Sequence, residues 1–430
     1  MKVQTRKSDF GTAMSQRFLR VSSKLGLSGH PAQIYIMLAA SFLFSLGRNI
    51  AFPYLAMFLN GKIQDGGLGF DSSLVGFMIM IGGLSSTFAL LVTGSLCDKF
   101  GRRRMMMLSI IPQTILTAGF AYAHAYSEFL LLYAASGVIG AFFDPAYSAM
   151  VADLVQPESR EQVYGMSYMI GNVGTVIGPP VGGIIASLSG YSVLFLYAAF
   201  LAAGAAVAIT LLVKETQPAS SSYASFSQFA GIFRHRIFIV FCLLGALTSF
   251  VYSQLYGLLS VYTQYVGFEP YVFGIFFSVN GLMVVLLQIP LRLGTMRIGA
   301  AKSFIIAQTL YALGFTSFMF ATSFLQFLTG VIVLTLGEII FVPASSAFVA
   351  NIAPADMRGR YMAMAGLFFG IGSSAGSQIA FSIYGALSTK QLTWGILGII
   401  GFATSIGYVL MWKMAGTKKK PAVGNKETCP

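Results

Sequence analysis

Helix-length apolar runs recur along this chain, and they decide what it can fold into. A membrane-crossing helix needs about 20 apolar residues. The sequence offers twelve such runs, at 33–59, 72–96, 105–125, 128–155, 162–187, 192–213, 237–262, 271–293, 303–322, 324–352, 361–386 and 392–413. In lipid every backbone N–H and C=O must be satisfied internally, so runs of this length predict α-helices rather than a barrel. Of 430 residues, 56% are hydrophobic and 10% charged, with mean hydropathy +0.75. A soluble chain carries roughly a quarter charged residues. The expected class is therefore all-α integral membrane, with twelve transmembrane helices.

The net charge of +13 would suggest nucleic acid in a soluble protein. Here membrane topology explains it better. With both termini on the cytoplasmic side, 24 of the 27 Lys and Arg fall in cytoplasmic segments. Only Lys62 and Lys390 fall outside, and Arg48 lies within a span. Such asymmetry orients a bundle. Cys97, Cys242 and Cys429 are scattered, with no metal-ligand spacing and no disulfide framework. His30, His124 and His235 form no cluster, and no phosphate-binding loop with a Lys is present. An enzyme, a resident metal and a cofactor are therefore not expected. The N-terminal region lacks the apolar core of a signal peptide. Phe10, Met14, Phe18, Val21 and Leu25 recur at helical spacing among basic residues, so this tail is either an interfacial helix or a plain cytoplasmic segment.

The longest connection, polar and Ser-rich, divides six spans from six. The expected organisation is a tail (1–31), a six-helix bundle (32–213), a linker (214–236), a second six-helix bundle (237–414) and a basic tail (415–430). The halves also resemble each other. "FFDPAYSAMVADLVQPESREQVYGM" from Phe142 and "IFVPASSAFVANIAPADMRGRYMAM" from Ile340 lie 198 residues apart. Phe143/Phe341, Pro145/Pro343, Ser148/Ser346 and Arg160/Arg358 coincide in register. Two pseudo-symmetric bundles of this kind can rock about a central site and expose it to alternate sides.

Two motifs carry a family resemblance. Gly94-x-x-x-Asp98-Lys99-x-Gly101-Arg102-Arg103, between spans 2 and 3, resembles the loop signature of the major facilitator superfamily. Gly174-x-x-x-Gly178-Pro179-x-x-Gly182-Gly183, in span 5, resembles the antiporter motif of its drug:proton antiporters. "TLGE", Thr335 to Glu338, with Pro343 beyond it, is similar to multidrug exporters of Gram-positive bacteria. The resemblance covers nearly the whole chain. It implies the major facilitator fold in a prokaryotic cytoplasmic membrane, in a monomer exchanging protons for a small molecule. The chain departs from the pattern at Tyr133, where many antiporters carry an Arg, so that Arg's relay role does not transfer. The resemblance also implies that Asp98 faces the start of span 11 near Tyr361. It implies that Arg102 meets Asp153, the set latching the halves shut on the cytoplasmic side.

Three charges lie deep in spans: Arg48, Asp144 and Glu338. Each costs about 2.5–3.5 kcal/mol at a helix centre, which suggests a use. Counting helical rise, Arg48 lies ~21 Å from Ile34 and Asp144 ~16 Å from Val155, depths at which the two can pair. Such a pair is either structural or a coupling switch. Glu338 has no basic partner at its depth, so it is a candidate proton carrier, competing with a cationic substrate; Asp144 as a second carrier would let the membrane potential drive export of a monovalent cation. The Gly174–Gly183 face permits close helix approach: ordinary packing on one reading, a seal against the other half on the other. Phe52, Tyr54, Tyr252, Gln254, Tyr256 and Asn280 are the candidate cavity lining, suited to amphipathic ligands, although any one can instead face lipid or another helix. Export of amphipathic, cationic molecules is the leading reading. Other cargo (a sugar, siderophore, lipid or nutrient) and a non-transporting receptor remain alternatives.

Overall fold

The computed structural model describes residues 30–216, 232–354 and 357–416. Over these the chain is helical. The first half contains α1 (Ala32–Ala51), α2 (Leu55–Asn60), α3 (Ser72–Phe100), α4 (Arg102–Tyr122), α5 (Tyr126–Gly140), α6 (Phe143–Leu154), α7 (Pro157–Ser189) and α8 (Tyr191–Leu212). The second contains α9 (Arg236–Tyr252), α10 (Leu258–Val266), α11 (Pro270–Ile298), α12 (Ala300–Ser317), α13 (Phe324–Ile352), α14 (Arg358–Ala386) and α15 (Leu392–Gly416).

Among the described residues, ten segments are long and apolar enough to cross a membrane. The expected spans at 303–322 and 361–386 are not among these ten. They correspond to α12 and α14, which are helical but dilute their apolar residues with Lys302, Arg358, Arg360 and many Gly and Ser. Both pack inside the same bundle as their neighbours: α12 lies on α13 and α15, and α14 on α9.

Three expected spans are broken in their middle. The first bends between α1 and α2 at a 3-10 turn, Phe52–Tyr54, because Pro53 lacks an N–H and clashes with the preceding turn. The fourth breaks at Ala141 and Phe142, between Gly140 and Pro145. The seventh breaks between α9 and α10, across Ser253 to Gly257. Discontinuous helices inside a membrane bundle are tolerated where they line a cavity.

The halves meet along two long seams, α7 against α11 and α3 against α14, with α2 touching α10 at the end away from the termini. Glycines report where the seams are tight. A Cβ added to Gly76 would lie 2.6 Å from Phe381 Cβ, and one on Gly274 would lie 2.6 Å from the Pro179 carbonyl oxygen. Additions at Gly83 and Gly370 would strike Ser374 and Thr87. On the side that bears the termini, the space between the halves is lined by Ser148, Tyr164, Ser167 and Tyr168 of α6 and α7. The close approaches above lie away from it, so the bundle opens towards the terminal side.

Candidate transport site

Between the halves lies a cavity of about 1270 Å³. All three helix breaks face it. Phe52 and Pro53 line it from the first, Asp144 and Pro145 from the second, and Tyr252, Ser253 and Tyr256 from the third. Breaking a helix there exposes polar backbone and gives charged side chains a favourable end to occupy. Arg48 sits in the last turn of α1 and Asp144 in the first turn of α6. A cation at a helix C-terminus and an anion at an N-terminus are each favoured by the helix dipole.

Arg48 and Asp144 both line this cavity and are both exposed to it. Among the described residues no ion pair joins them, and neither side chain makes a hydrogen bond. The pair considered from their depths is therefore absent in this conformation. Each side chain projects from its own helix break into a shared space. Tyr133, Tyr147 and Tyr256 line the same cavity.

Glu338 is placed differently. It lies in unbroken α13 and is not among the residues that line the cavity. Its Oε2 accepts a hydrogen bond from Asn280 Nδ2 at 2.8 Å, and Asn280 also donates to Thr335 Oγ1 at 3.0 Å. The Tyr252 hydroxyl meets that of Tyr256 at 2.8 Å on the cavity wall. Asn280 thus holds the carboxylate on one side by bonding both Glu338 and Thr335, and a separate pair of tyrosine hydroxyls lines the cavity.

Of the six expected lining residues, Phe52, Tyr252 and Tyr256 line the cavity, whereas Tyr54, Gln254 and Asn280 do not. Tyr54 is buried and donates to the Pro179 carbonyl, closing the α1–α7–α11 corner. Gln254 is buried in the third break and donates to Phe250 O at 2.8 Å, satisfying a carbonyl freed there. Asn280 is buried and holds Glu338. Gln113, which the sequence reading missed, lines the cavity from α4. It is 7% exposed, and its amide oxygen has no hydrogen-bond partner.

The antiporter-like motif divides between two tasks. Additions at Gly174, Gly178 and Gly182 would strike Ser45, Asn49 and Ile50 of α1, within the same half. Pro179 and Gly183 face the other half, against Gly274 and Tyr271 of α11, and the Val176 carbonyl between them and Gly174 accepts from Ser278 of the same helix. The motif therefore fixes α1 to α7 and also supports the seam.

The loop signature forms a tight turn between α3 and α4. Gly101 has φ +94°, which only glycine adopts without strain. Arg102 Nε lies 3.1 Å from Asp153 Oδ2, and the Arg102 side chain is 6% exposed. Both residues belong to the first half, and the contact exists while the terminal side is open. This ion pair therefore does not by itself join the halves. Arg103 donates to the Thr210 carbonyl, also in the first half. Glu215, at the root of the linker, accepts from the backbone N–H groups of Arg103 at 3.1 Å and Arg104 at 3.3 Å, capping α4. The Thr216 hydroxyl donates to Asp153 at 2.7 Å. Sequence spacing gives no sign of Glu215, because it reaches the turn from 112 residues away. Tyr361 hydrogen-bonds His235 within the second half, at 3.2 Å. Gly94 and the side chain of Asp98 lie outside the described residues, as do the N-terminal tail, most of the linker and the basic C-terminal tail beyond Gly416. Among the described residues, no group of three or more His, Cys, Asp or Glu is placed to hold a metal ion.

Comparison with known proteins agrees with this architecture. The family model described as Major Facilitator Superfamily matches residues 37–293 and 267–428. A Na(+), Li(+), K(+)/H(+) antiporter of Planococcus maritimus is 25% identical, covering 88% of this chain and 94% of its own. The quinolone resistance protein NorA of Staphylococcus aureus (strain Mu50 / ATCC 700699) is also 25% identical, covering 90% of this chain and 98% of its own. Among solved structures, a POT family transporter in complex with a thioalcohol-conjugated peptide superposes with TM-score 0.78 at 16% identity. It covers 91% of this chain and 98% of its own, a likeness of fold. The chain is a multi-pass membrane protein and belongs to the Major Facilitator Superfamily.

Proposed function

We propose that this chain is a proton-coupled secondary transporter that exports amphipathic, positively charged small molecules by alternating access. In this reading all twelve runs cross the prokaryotic cytoplasmic membrane, both termini are cytoplasmic, and the open side is the inner one. The observation that carries it is the pairing of two unlike acids. Asp144 is exposed in a cavity of about 1270 Å³, where cargo can reach it. Glu338 lies off the cavity wall, held by Asn280, while the hydroxyls of Tyr252 and Tyr256 line that wall. A carboxylate in such a place costs less free energy protonated than charged, so it suits a proton carrier.

The homologues include an alkali-cation/H(+) antiporter, which raises a bare ion as cargo. The cavity favours an organic molecule. Its volume matches or exceeds that of drug-sized sites, and Phe52, Tyr133, Tyr252, Tyr256 and Phe277 supply aromatic walls.

The latch reading also continues as part of this proposal, in modified form. Arg102–Asp153 and Glu215 rigidify the turn within the first half, and Asp98 makes the contact across to the second half when the inner side closes.

Proteoliposomes test the proposal. Wild type should accumulate a fluorescent amphipathic cation when a pH gradient is imposed. Glu338→Gln should lose gradient-driven accumulation yet retain exchange of labelled for unlabelled cargo. Accumulation by Glu338→Gln equal to wild type contradicts the assignment of the proton to this residue.

A further inference from the structure

We propose that the cavity binds molecules carrying both charges, amphipathic zwitterions, with Arg48 receiving the anionic end and Asp144 the protonated amine. This rests on the transporter reading above for the claim that cargo occupies the cavity, and replaces a simple cation as that cargo with a molecule whose cationic amine is balanced by an anionic group.

A site for simple cations would not place an unpaired guanidinium in its wall. Among the described residues Arg48 is exposed to the cavity with no ion pair and no hydrogen bond, and Tyr133 and Tyr256 line the same cavity. A bare cation entering the cavity would meet a like charge there. A free guanidinium edge matches a carboxylate or phosphate, which it can bind through two parallel hydrogen bonds.

Asp144 offers the opposite chemistry from α6. It too is exposed and unpaired. Gln113, nine-tenths buried and lining the same cavity, leaves its amide oxygen without a partner. A carboxylate, and an unpartnered amide oxygen lining the same cavity, suit an ammonium group with several N–H donors.

Arg48 is tied to the end of α1 and Asp144 to the start of α6, and among the described residues no ion pair joins them. One ligand bearing both signs can pair with both at once. Phe52, Tyr252, Phe277 and Phe369 give its scaffold an apolar wall. The charge balance follows. A zwitterion is neutral overall, so exporting it against one proton moves one positive charge inward. The membrane potential then drives transport without a second proton.

Three fluorescent probes that differ only in charge test the site: Nε-dansyl-lysine (zwitterion), its methyl ester (cation) and its Nα-acetyl derivative (anion). Each is titrated into the purified full-length protein in nanodiscs. The zwitterion should bind at least about tenfold more tightly than either derivative. Arg48→Gln should erase its advantage over the ester but keep that over the acetyl compound. Asp144→Asn should do the reverse, and Arg48→Lys should preserve most of the wild-type ranking. Equal affinities in the wild type, tighter binding of the ester, or no binding of the zwitterion overturns the proposal. Glu338→Gln separates the two levels of the argument. It should abolish proton coupling while leaving the ranking of the probes intact. Coupled transport without any charge ranking removes the zwitterion site and leaves the transporter reading standing.

Discussion

Phe143-Asp144-Pro145 and Phe341-Val342-Pro343 occupy the same register of two repeats, 198 residues apart, yet the chain uses them differently. In the first half the helix breaks just before the Phe, and the Asp opens into the cavity. In the second half α13 continues for 29 residues through its Pro, and the acid, Glu338, sits one turn earlier. Gly140 occupies the register of Glu338 in the first half. The turn glycines tell the same story. Gly101 and Gly299 both have positive φ and both start a helix. The first turn is braced by Arg102 and Asp153, whose places in the second repeat are taken by Ala300 and Asn351. The fold tolerates duplication, while charge is distributed asymmetrically. The first half presents charges to the cavity, and the second holds one off its wall.

The most severe way to break this comparison is to remove the hidden acid. Glu338→Gln should lower gradient-driven transport by about 100-fold or more while leaving binding nearly unchanged. Flux and equilibrium titration, taken together, read this out. Next comes the seam. Gly183→Val places side-chain atoms against the Tyr271 backbone and should destabilise the outer-closed state by about 1–3 kcal/mol. Cysteine labelling near Lys62 reports the resulting shift in exposure. Tyr252→Phe removes one hydroxyl from the cavity wall. It should slow proton release by about tenfold with little change in affinity, which stopped-flow pH measurement can detect. The smallest effect concerns the turns. A Cβ on Gly101 would lie 2.7 Å from Glu215 Oε2, whereas one on Gly299 meets nothing within 4 Å. Both alanine variants place a side chain on backbone that essentially only glycine adopts, costing about 1–3 kcal/mol each. Gly101→Ala should lower Tm further than Gly299→Ala, because it also displaces the cap on α4.

The apolar periodicity and the repeat made the bundle and its two halves legible in the sequence, because span length and register are local properties. Arg48, Asp144 and Glu338 stood out for an equally local reason: charge is rare in this chain. Which of the three shares the cavity was not legible. That depends on where helices break and on which face each residue occupies. Tyr54 and Phe52 lie two residues apart, yet one seals a helix corner and the other lines the cavity. Asn280 looked like lining and proved to hold Glu338. Glu215 and Gln113 gave no signal, since their roles arise only from distant segments brought together.

The account's central claim is that the acid sheltered in the second half carries the proton that cargo displaces. Proton release on adding an amphipathic substrate to purified protein in weakly buffered solution tests it most directly. Wild type should release protons in proportion to substrate bound, and Glu338→Gln should bind substrate while losing that release. Undiminished release from Glu338→Gln, or none from wild type at saturating substrate, would contradict the account.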